Sequence, residues 1–399
     1  MHRIGLTMVQ PGSVLGKTIY NERGDVLLRK GAILSDRYID LLGDKRFSTI
    51  YIQNEDTADI IIEDIVSEHV HQNATRNISR FLTVIENAAR DLADLPLERL
   101  HSGFNSIDFQ RSVQGKAFDA LYSVVESIID EVVDETTLSG LTAIKNHDNY
   151  TFCHSIDVTV SAVVLGRKLF FDRPALRQLA LGCMLHDTGK IFIDAKILNK
   201  DSPLSPEEYA VVKRHPELGY QLLRSLQRDE FLANHVAYQH HESQDGSGYP
   251  RGLHGVNRIS RDASRGDRIL LIAEIAAVAD VYDALSSDRP YRAGMTSEEI
   301  VLKLRELSGT RLNQEVVNHF LAILPVYPVG VEIRVTQGKL KDYRGVVARI
   351  NPRAMDRPVV RILYDDRHRR VSAFEVDLLK EPHVEVATTF SNDEFARAS

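Results

Sequence analysis

Residues 176–190, LRQLALGCMLHDTGK, contain the pattern that decides the fold of the central region. Apolar residues recur there at the three- and four-residue spacing of an amphipathic helix; they are Leu176, Leu179, Ala180, Cys183 and Met184. The helix is expected to end in His186-Asp187 and to stop at Gly189. This pair supplies an imidazole nitrogen and a carboxylate that can bridge two cations, although a surface ion pair would look the same. Lys190 adds a cation suited to a phosphate.

Other candidate ligands stand at helical positions where apolar residues are expected; they are His154, His215, His240, His241 and Asp280. Asp280 and Asp283 interrupt the apolar helix pattern of residues 269–279, one turn apart. A buried unpaired carboxylate is costly, so Asp280 should face a cation or several donors. Taken alone, a histidine such as His154 is more often a hydrogen-bonded core residue.

Two of these histidine positions have their own alternatives. His240-His241 could simply end a solvated helix, whereas a buried face would not leave both rings in solvent. His215 precedes Pro216, and this pair predicts a kink in the helix. Together with His186 and Asp187, the set offers nitrogen and oxygen ligands for two divalent transition metals. The absence of thiolate ligands favours iron or manganese, with nickel and zinc as alternatives.

Length and composition limit the classes of protein to which the whole chain can belong. Its 399 residues predict two to four domains. The net charge of −7 gives no electrostatic footprint for DNA or membrane-surface binding. Two cysteines, Cys153 and Cys183, cannot make a disulfide framework, which favours a reducing cytoplasm. We find no apolar stretch of signal-peptide or membrane-spanning length.

The periodicity predicts a mainly α protein, in which a central all-α domain lies between small β-rich modules. Residues 1–56 form the predicted N-terminal β-rich module, and 57–145 a helical linker that could pair across a homodimer contact. Residues 146–324 form the all-α domain with most of the candidate chemistry. In residues 325–384 apolar and polar side chains alternate, which predicts a small β extension. Residues 385–399 are predicted to form a disordered tail.

The central region resembles the HD-GYP family, a branch of the HD superfamily of metal-dependent phosphohydrolases. Six ordered motifs between residues 146 and 324 carry the resemblance; they are YTFCHS at 150–155, HDTGK at 186–190, KRHPE at 213–217, HHE at 240–242 with DGSGYP at 245–250, DVYDAL at 280–285 and RPYR at 289–292. The resemblance implies hydrolysis of cyclic di-GMP to pGpG, with or without a further step to GMP, in a bacterial cytoplasm. It also implies that a hydroxide activated by two metals attacks phosphorus.

The resemblance also assigns residue roles. The implied metal ligands are His154, His186, Asp187, His215, His240, His241 and Asp280. Asp187 is the implied bridge and, with Lys190, a catalytic residue. Lys190, Arg289 and Arg292 are the implied phosphate-binding cations. Gly248, Tyr249 and Pro250 shape the site and are linked to partner recognition. Asp283 is expected to orient a ligand histidine without binding metal itself.

Three positions depart from the family pattern. Tyr150 stands where some members have a glutamate for a third metal, which favours a two-metal site. Ser243-Gln244 replaces a common basic residue after the histidine pair. The stretch 253–268 is longer than usual and rich in arginine, and it could be a lid, a disordered loop or a specific contact.

Two other functions remain open from the sequence. A nucleotide phosphohydrolase of the wider HD superfamily would explain His186-Asp187 but not the loop at 248–250. A non-catalytic receptor would bind the cyclic dinucleotide and signal through residues 57–145. The metal identity, the preferred cyclic dinucleotide, the end product, the input signal and the oligomeric state are not determined by the sequence.

Overall fold

The computed structural model describes most of the chain, in twelve segments. These are residues 1–21, 25–45, 47–89, 92, 97–113, 116–132, 138, 150–200, 202–226, 230–261, 268–287 and 294–389. Within them, helices fill the middle of the chain and strands lie towards both ends. The predicted fold class, mainly α with small β modules, is confirmed.

The N-terminal part is a small β-rich module. Its elements are β1 (His2–Gly5), β2 (Val14–Leu15), β3 (Ile19–Tyr20), β4 (Val26–Leu28), α1 (Asp36–Asp44) and β5 (Thr49–Gln53). The sheet order is β1-β5-β2, and β1 runs antiparallel to β5 with His2 opposite Ile52. Ser35 is the N-cap of α1, as its residue type predicts, because its side chain accepts the amide of Tyr38.

The helical part follows and carries the largest hydrophobic core. Its first helices are α2 (Glu68–Ala89), α3 (Leu97–Phe104), α4 (Ile107–Val113), α5 (Lys116–Glu131), α6 (Tyr150–Lys168) and α7 (Arg173–Leu185). One continuous apolar cluster extends from Ile65 to Leu324. Helices α2 and α5 therefore share a core with α6 and α7, and ion pairs from Glu126 to Arg173 and Arg177 link α5 to α7. The predicted division at residue 146 stays a prediction.

The remaining helices complete this core. They are α8 (Ala195–Leu198), α9 (Pro206–Val212), α10 (His215–Leu226), α11 (Phe231–Gln239), α12 (Leu271–Ser286), α13 (Ser297–Leu307) and α14 (Gln314–Leu321). Ser205 and Thr296 each form a capping box at the start of a helix. The predicted kink at His215-Pro216 is wrong, because these residues begin α10. Proline is tolerated there since the first amides of a helix have no intrahelical acceptor.

The C-terminal part is a five-stranded antiparallel sheet in the order β10-β6-β7-β8-β9. Its strands are β6 (Glu332–Gln337), β7 (Arg344–Asn351), β8 (Ala354–Tyr364), β9 (Arg370–Asp377) and β10 (Glu385–Thr388). It contacts the N-terminal module, since Arg3 donates its amide to Gly330 O and Arg370 donates to the carboxylate of Asp56. Within the described segments, we find no helix long and apolar enough to cross a membrane.

The contact that places the site is the close approach of two backbone segments. Gly189 lies in a 3-10 helix, Thr188–Phe192, that continues the chain after α7 and packs on the first turns of α10. A Cβ at Gly189 would overlap the backbone of His215 and would lie 2.6 Å from Gly219 N. A glycine is needed here because any side chain would push α10, and with it His215, away from α7.

We therefore expect Gly189→Ala to destabilise the protein by about 1–3 kcal/mol, since the overlap is with backbone that cannot rotate away. Thermal unfolding followed by circular dichroism would measure this loss. Gly43→Ala in α1 is the matched control, because the new Cβ would only contact Leu6 at 3.9 Å. Equal melting temperatures for Gly189→Ala and Gly43→Ala would contradict the packing argument.

Candidate metal centre

Five helices bring the predicted ligands together. His154 lies inside α6, and His186-Asp187 directly follows α7. The remaining ligands lie on α10, at the end of α11 and inside α12; they are His215, His240, His241 and Asp280. The hydrophobic core covers most of these residues, and the exposed fraction of the histidines His154, His186, His215 and His240 is 3% or less.

The ligands form two groups whose nitrogen and oxygen atoms converge. His154, His186 and Asp187 make one group, and His215, His240 and His241 make the other. In each group the candidate ligand atoms all lie within 4.8 Å of one another. The sequence spacing spreads these residues over almost ninety positions, and the helix packing gathers them into one place.

Asp187 lies between the two groups and directs one oxygen to each. Its Oδ2 lies 3.5 Å from His186 Nε2 and 3.8 Å from His154 Nε2. Its Oδ1 lies 3.3 Å from His215 Nε2 and 3.8 Å from His240 Nε2. This is the position that a bridging carboxylate would need.

Asp280 adds a second carboxylate to the first group. Its Oδ1 lies 3.2 Å from His154 Nε2 and 3.9 Å from His186 Nε2. The first group therefore has two imidazoles and two carboxylates, and the second has three imidazoles and the other oxygen of Asp187. Both donor sets suit divalent transition metals that accept nitrogen and oxygen ligands.

The outer nitrogens of three histidines fix the orientation of their rings. Nδ1 of His186 lies 2.6 Å from Cys183 O, and Nδ1 of His215 lies 2.8 Å from Val212 O. Nδ1 of His240 lies 3.0 Å from Ala237 O. Carbonyl oxygens only accept hydrogen bonds, so in the neutral rings the proton is on Nδ1 and the lone pair on Nε2.

The Nε2 atoms of neighbouring rings face one another, which is a reason to expect cations between them. His154 Nε2 and His186 Nε2 lie 3.2 Å apart, and so do His215 Nε2 and His240 Nε2. Two ligand atoms that each lie about 2.1 Å from the same metal ion are separated from each other by a distance close to that between these nitrogens. Asp187 Oδ1 is buried and accepts no hydrogen bond from the described residues. The site therefore fits bound metal.

The protonation states of the group suit metal binding. Burial, together with nearby positive charge, lowers the pKa of His241 to about 3 and places that of His240 well below its usual value. Burial acts in the opposite direction on Asp187, but the charges of Lys190 and His186 hold its pKa well below the usual range. The rings of His240 and His241 are therefore neutral, and the carboxylate of Asp187 is ionised, at neutral pH.

Asp283 contacts the ring of His154 on the side away from the cluster. Its Oδ2 lies 2.7 Å from His154 Nδ1, and its side chain is fully buried. A carboxylate in this position orients the ring and increases its basicity. Although burial opposes it, the hydrogen bonds to Asp280 and Asp283 raise the pKa of His154 to about 9.

The loop at 248–250 covers the second group. The ring of Tyr249 stacks on that of His241, with centroids 4.8 Å apart and an interplanar angle of 28°. The Tyr249 amide also donates to His241 O at 3.1 Å. A Cβ at Gly248 would lie 2.6 Å from Glu242 Cα, so this position requires glycine for close approach.

Sequence reasoning missed the role of Glu242, which holds this loop in place. One carboxylate oxygen of Glu242 accepts the amide of Arg251, and the other accepts that of Leu253, both at 2.8 Å. The signal available in the sequence was an acidic residue directly after the two histidines. A charged residue at a buried position needs such donors.

Gln244, one of the departures from the family pattern, is also part of the scaffold. Its Nε2 donates to the buried carboxylate of Glu274, and its Oε1 accepts the amide of Asn257. Asn257 belongs to the long stretch after the loop and bonds Gly309 O through its side chain. Asn257 Oδ1 also accepts the amide of Gln314, and the Ile259 amide donates to Glu315, so this part of the stretch is packed against the start of α14.

Three predicted positions cannot be placed by their side chains. Arg289 and Arg292 lie outside the described residues. Tyr150 is the first residue of α6, but its side chain is not described either. Lys190 is described, and its ammonium group bonds Asp187 Oδ2 at the edge of the cluster, where 32% of the side chain is exposed.

Comparison with known proteins agrees with this geometry. Residues 133–316 match the HD domain family. The chain is 32% identical to a cyclic di-GMP phosphodiesterase of Pseudomonas aeruginosa over 65% of this chain and 60% of the relative. It is 35% identical to the cyclic di-GMP phosphodiesterase response regulator RpfG of Xanthomonas campestris pv. campestris over 47% of each chain.

A third relative has a different named substrate. This chain is 37% identical to a 3'3'-cGAMP-specific phosphodiesterase of Vibrio cholerae, over 42% of this chain and 34% of the relative. The chain thus spans between about a third and three fifths of the length of these curated relatives.

A helical domain with two clustered groups of histidine and aspartate defines a class, the HD-domain phosphohydrolases, which are metal-dependent. The resemblance to the HD-GYP family, a branch of that class, which was inferred from the ordered motifs, is confirmed.

If Asp187 is shared by both groups, its replacement should affect both. We expect Asp187→Asn to lower the bound metal of the purified protein by at least about half, because an amide is a much weaker ligand than a carboxylate. Elemental analysis would measure this. Asp172→Asn is the matched control, since Asp172 caps the other end of the same helix and asparagine caps equally well. Full metal content in Asp187→Asn would exclude a shared ligand.

Proposed function

We propose that the chain is a metal-dependent phosphodiesterase that hydrolyses cyclic di-GMP to pGpG, with or without a further step to GMP. The observation that carries the proposal is the position of Asp187, with one oxygen directed to each of two ligand groups. A shared carboxylate of this kind is typical of sites that hold two cations for the in-line displacement of a phosphate ester.

The relatives support this substrate class. Two of the relatives described above are named as cyclic di-GMP phosphodiesterases and one as specific for 3'3'-cGAMP. All three names describe phosphodiesterases acting on cyclic dinucleotides. The substrate class is therefore better supported than the identity of the bases in the substrate. We place cyclic di-GMP first and 3'3'-cGAMP second.

The proposed ligand sets follow the two groups. His154, His186 and Asp280 would hold one cation, while His215, His240 and His241 would hold the other, with Asp187 shared. Bound iron or manganese, with nickel and zinc as alternatives, would supply an activated water and positive charge next to the phosphate. Asp283 would keep the ring of His154 oriented towards the first group.

Other residues would bind the substrate. Lys190 lies beside the shared carboxylate, so its ammonium can contact a phosphate oxygen as negative charge develops there. Tyr249 closes the second group on one side, and its loop would shape the pocket. Arg289 and Arg292 stay the proposed contacts for the second phosphate. Homodimerisation, a signalling partner at the 248–250 loop and a cytoplasmic location also stay predictions.

Product identification would test the function. Anaerobically purified full-length chain, loaded with manganese or ferrous iron, should convert cyclic di-GMP or 3'3'-cGAMP to a linear dinucleotide and contain close to two metals per chain. Nucleoside triphosphates are the comparison substrate. Preferential turnover of triphosphates would favour the mononucleotide phosphohydrolase, and tight binding of cyclic di-GMP without product would favour a receptor. A third metal equivalent would contradict the two-metal site.

Lys190→Ala should lower kcat by about 100-fold and change KM much less, because its charge is proposed to act on developing negative charge rather than on bound substrate. Steady-state kinetics on cyclic di-GMP would separate the two effects. Lys196→Ala is the control, because Lys196 is an exposed lysine on α8, shortly after Lys190 in the chain. A change confined to KM would assign Lys190 to binding alone.

A further inference from the structure

Lys213 lies between two tyrosine rings near the candidate metal centre. It directly follows α9, and its amide bonds Tyr209 O at 3.0 Å. Its Nζ is 5.2 Å from the ring centroid of Tyr209 and 5.7 Å from that of Tyr249. These distances are within the range in which a cation is attracted to an aromatic face.

Tyr249 connects this lysine to the metal centre. One face of its ring stacks on His241, which belongs to the second ligand group. The Lys213 ammonium is also near that ring, so the side chain of Tyr249 contacts both the ammonium and a member of the second ligand group. The chain reinforces this proximity, because only Arg214 separates Lys213 from His215, another member of the group.

No carboxylate of the described residues neutralises the charge of Lys213. Among the residues that the structure describes, no aspartate or glutamate forms an ion pair with it, whereas the ammonium of Lys190 is already paired with Asp187. The site itself contains the ionised carboxylates of Asp187 and Asp280, and the whole chain has a net charge of −7. An anionic substrate therefore needs cations at the edge of the site.

We propose that Lys213, held by Tyr209 and Tyr249, binds the phosphate of the cyclic dinucleotide that is not being cleaved. This inference rests on the proposed function and adds a substrate contact to it. The cation lies outside the ligand groups, so it suits a phosphate at a distance from the reacting one. Tyr209, which is 48% exposed, contributes the second aromatic ring beside the ammonium.

A binding role and a packing role differ in their kinetics. Lys213→Met keeps the length and apolar stem of the side chain but removes the charge. It should raise KM for cyclic di-GMP by about 10- to 100-fold, as expected for the loss of a hydrogen bond to a charged group, and change kcat by much less. Lys213→Arg keeps the charge and should recover most of the affinity.

A small phosphodiester separates the two phosphates. Bis(4-nitrophenyl) phosphate has one phosphate, so Lys213→Met should affect its kcat/KM at least about fivefold less than that of cyclic di-GMP. Lys303→Met, which removes an exposed lysine paired with Glu306 on α13, is the control for loss of a positive charge. All proteins should be full length and metal-loaded, and their melting temperatures compared.

The outcomes separate this inference from the function on which it rests. If the wild-type protein turns over no cyclic dinucleotide, both the function and the role of Lys213 are overturned. If the wild type is active and Lys213→Met leaves KM unchanged, only the role of Lys213 is overturned. Equal losses on both substrates, or a melting temperature lowered as much as activity is lost, would also overturn it, since these results indicate a positioning or packing role.

Discussion

The position of the Asp187 carboxylate is the constraint on which the rest of the site depends. It is buried, it is ionised, and each oxygen faces a different group of imidazole nitrogens. A charge in such a place is costly unless cations or donors surround it. The end of α7, the first residue of α10 and the end of α11 must therefore meet at one point, and Gly189 allows the first two of these to approach.

The surroundings of the histidines show how the helices prepare this centre. Carbonyl oxygens near helix ends accept the outer N–H groups of His186, His215 and His240, so backbone that would otherwise lack partners orients the rings. His154 lies inside a helix, where the backbone carbonyls are already used, and the carboxylate of Asp283 takes their place. The same requirement, an acceptor behind each ring, is met in two ways that depend on where the histidine lies.

The open side of the centre is built by side chains that bind no metal in our proposal. Glu242 fixes the loop by accepting two backbone amides. The ring of Tyr249, which belongs to this loop, contacts both His241 and the neighbouring Lys213. Gln244 and Glu274 tie the following stretch to the helical core. Ligand geometry and substrate recognition are thus coupled through a short segment of chain, residues 240–257, which leaves little freedom for either to change alone.

The sequence by itself determined the helical class, the β-rich ends, the capping residues Ser35 and Ser205, and which histidines and aspartates to consider. These features depend on local periodicity and on residue types whose chemistry does not change with context. Local patterns fail at His215-Pro216, where they predict a kink and the structure has the start of a helix. A proline in a first turn and a proline inside a helix look alike when the helix boundary is not known. Only the tertiary structure decided which oxygen of Asp187 faces which group, why Glu242 is buried, and that Lys213 lies between two tyrosine rings. Each of these features depends on contacts between segments that are distant in the chain, or on the path of a loop. Spacing along a sequence carries no information about the direction in which a side chain points across such a contact.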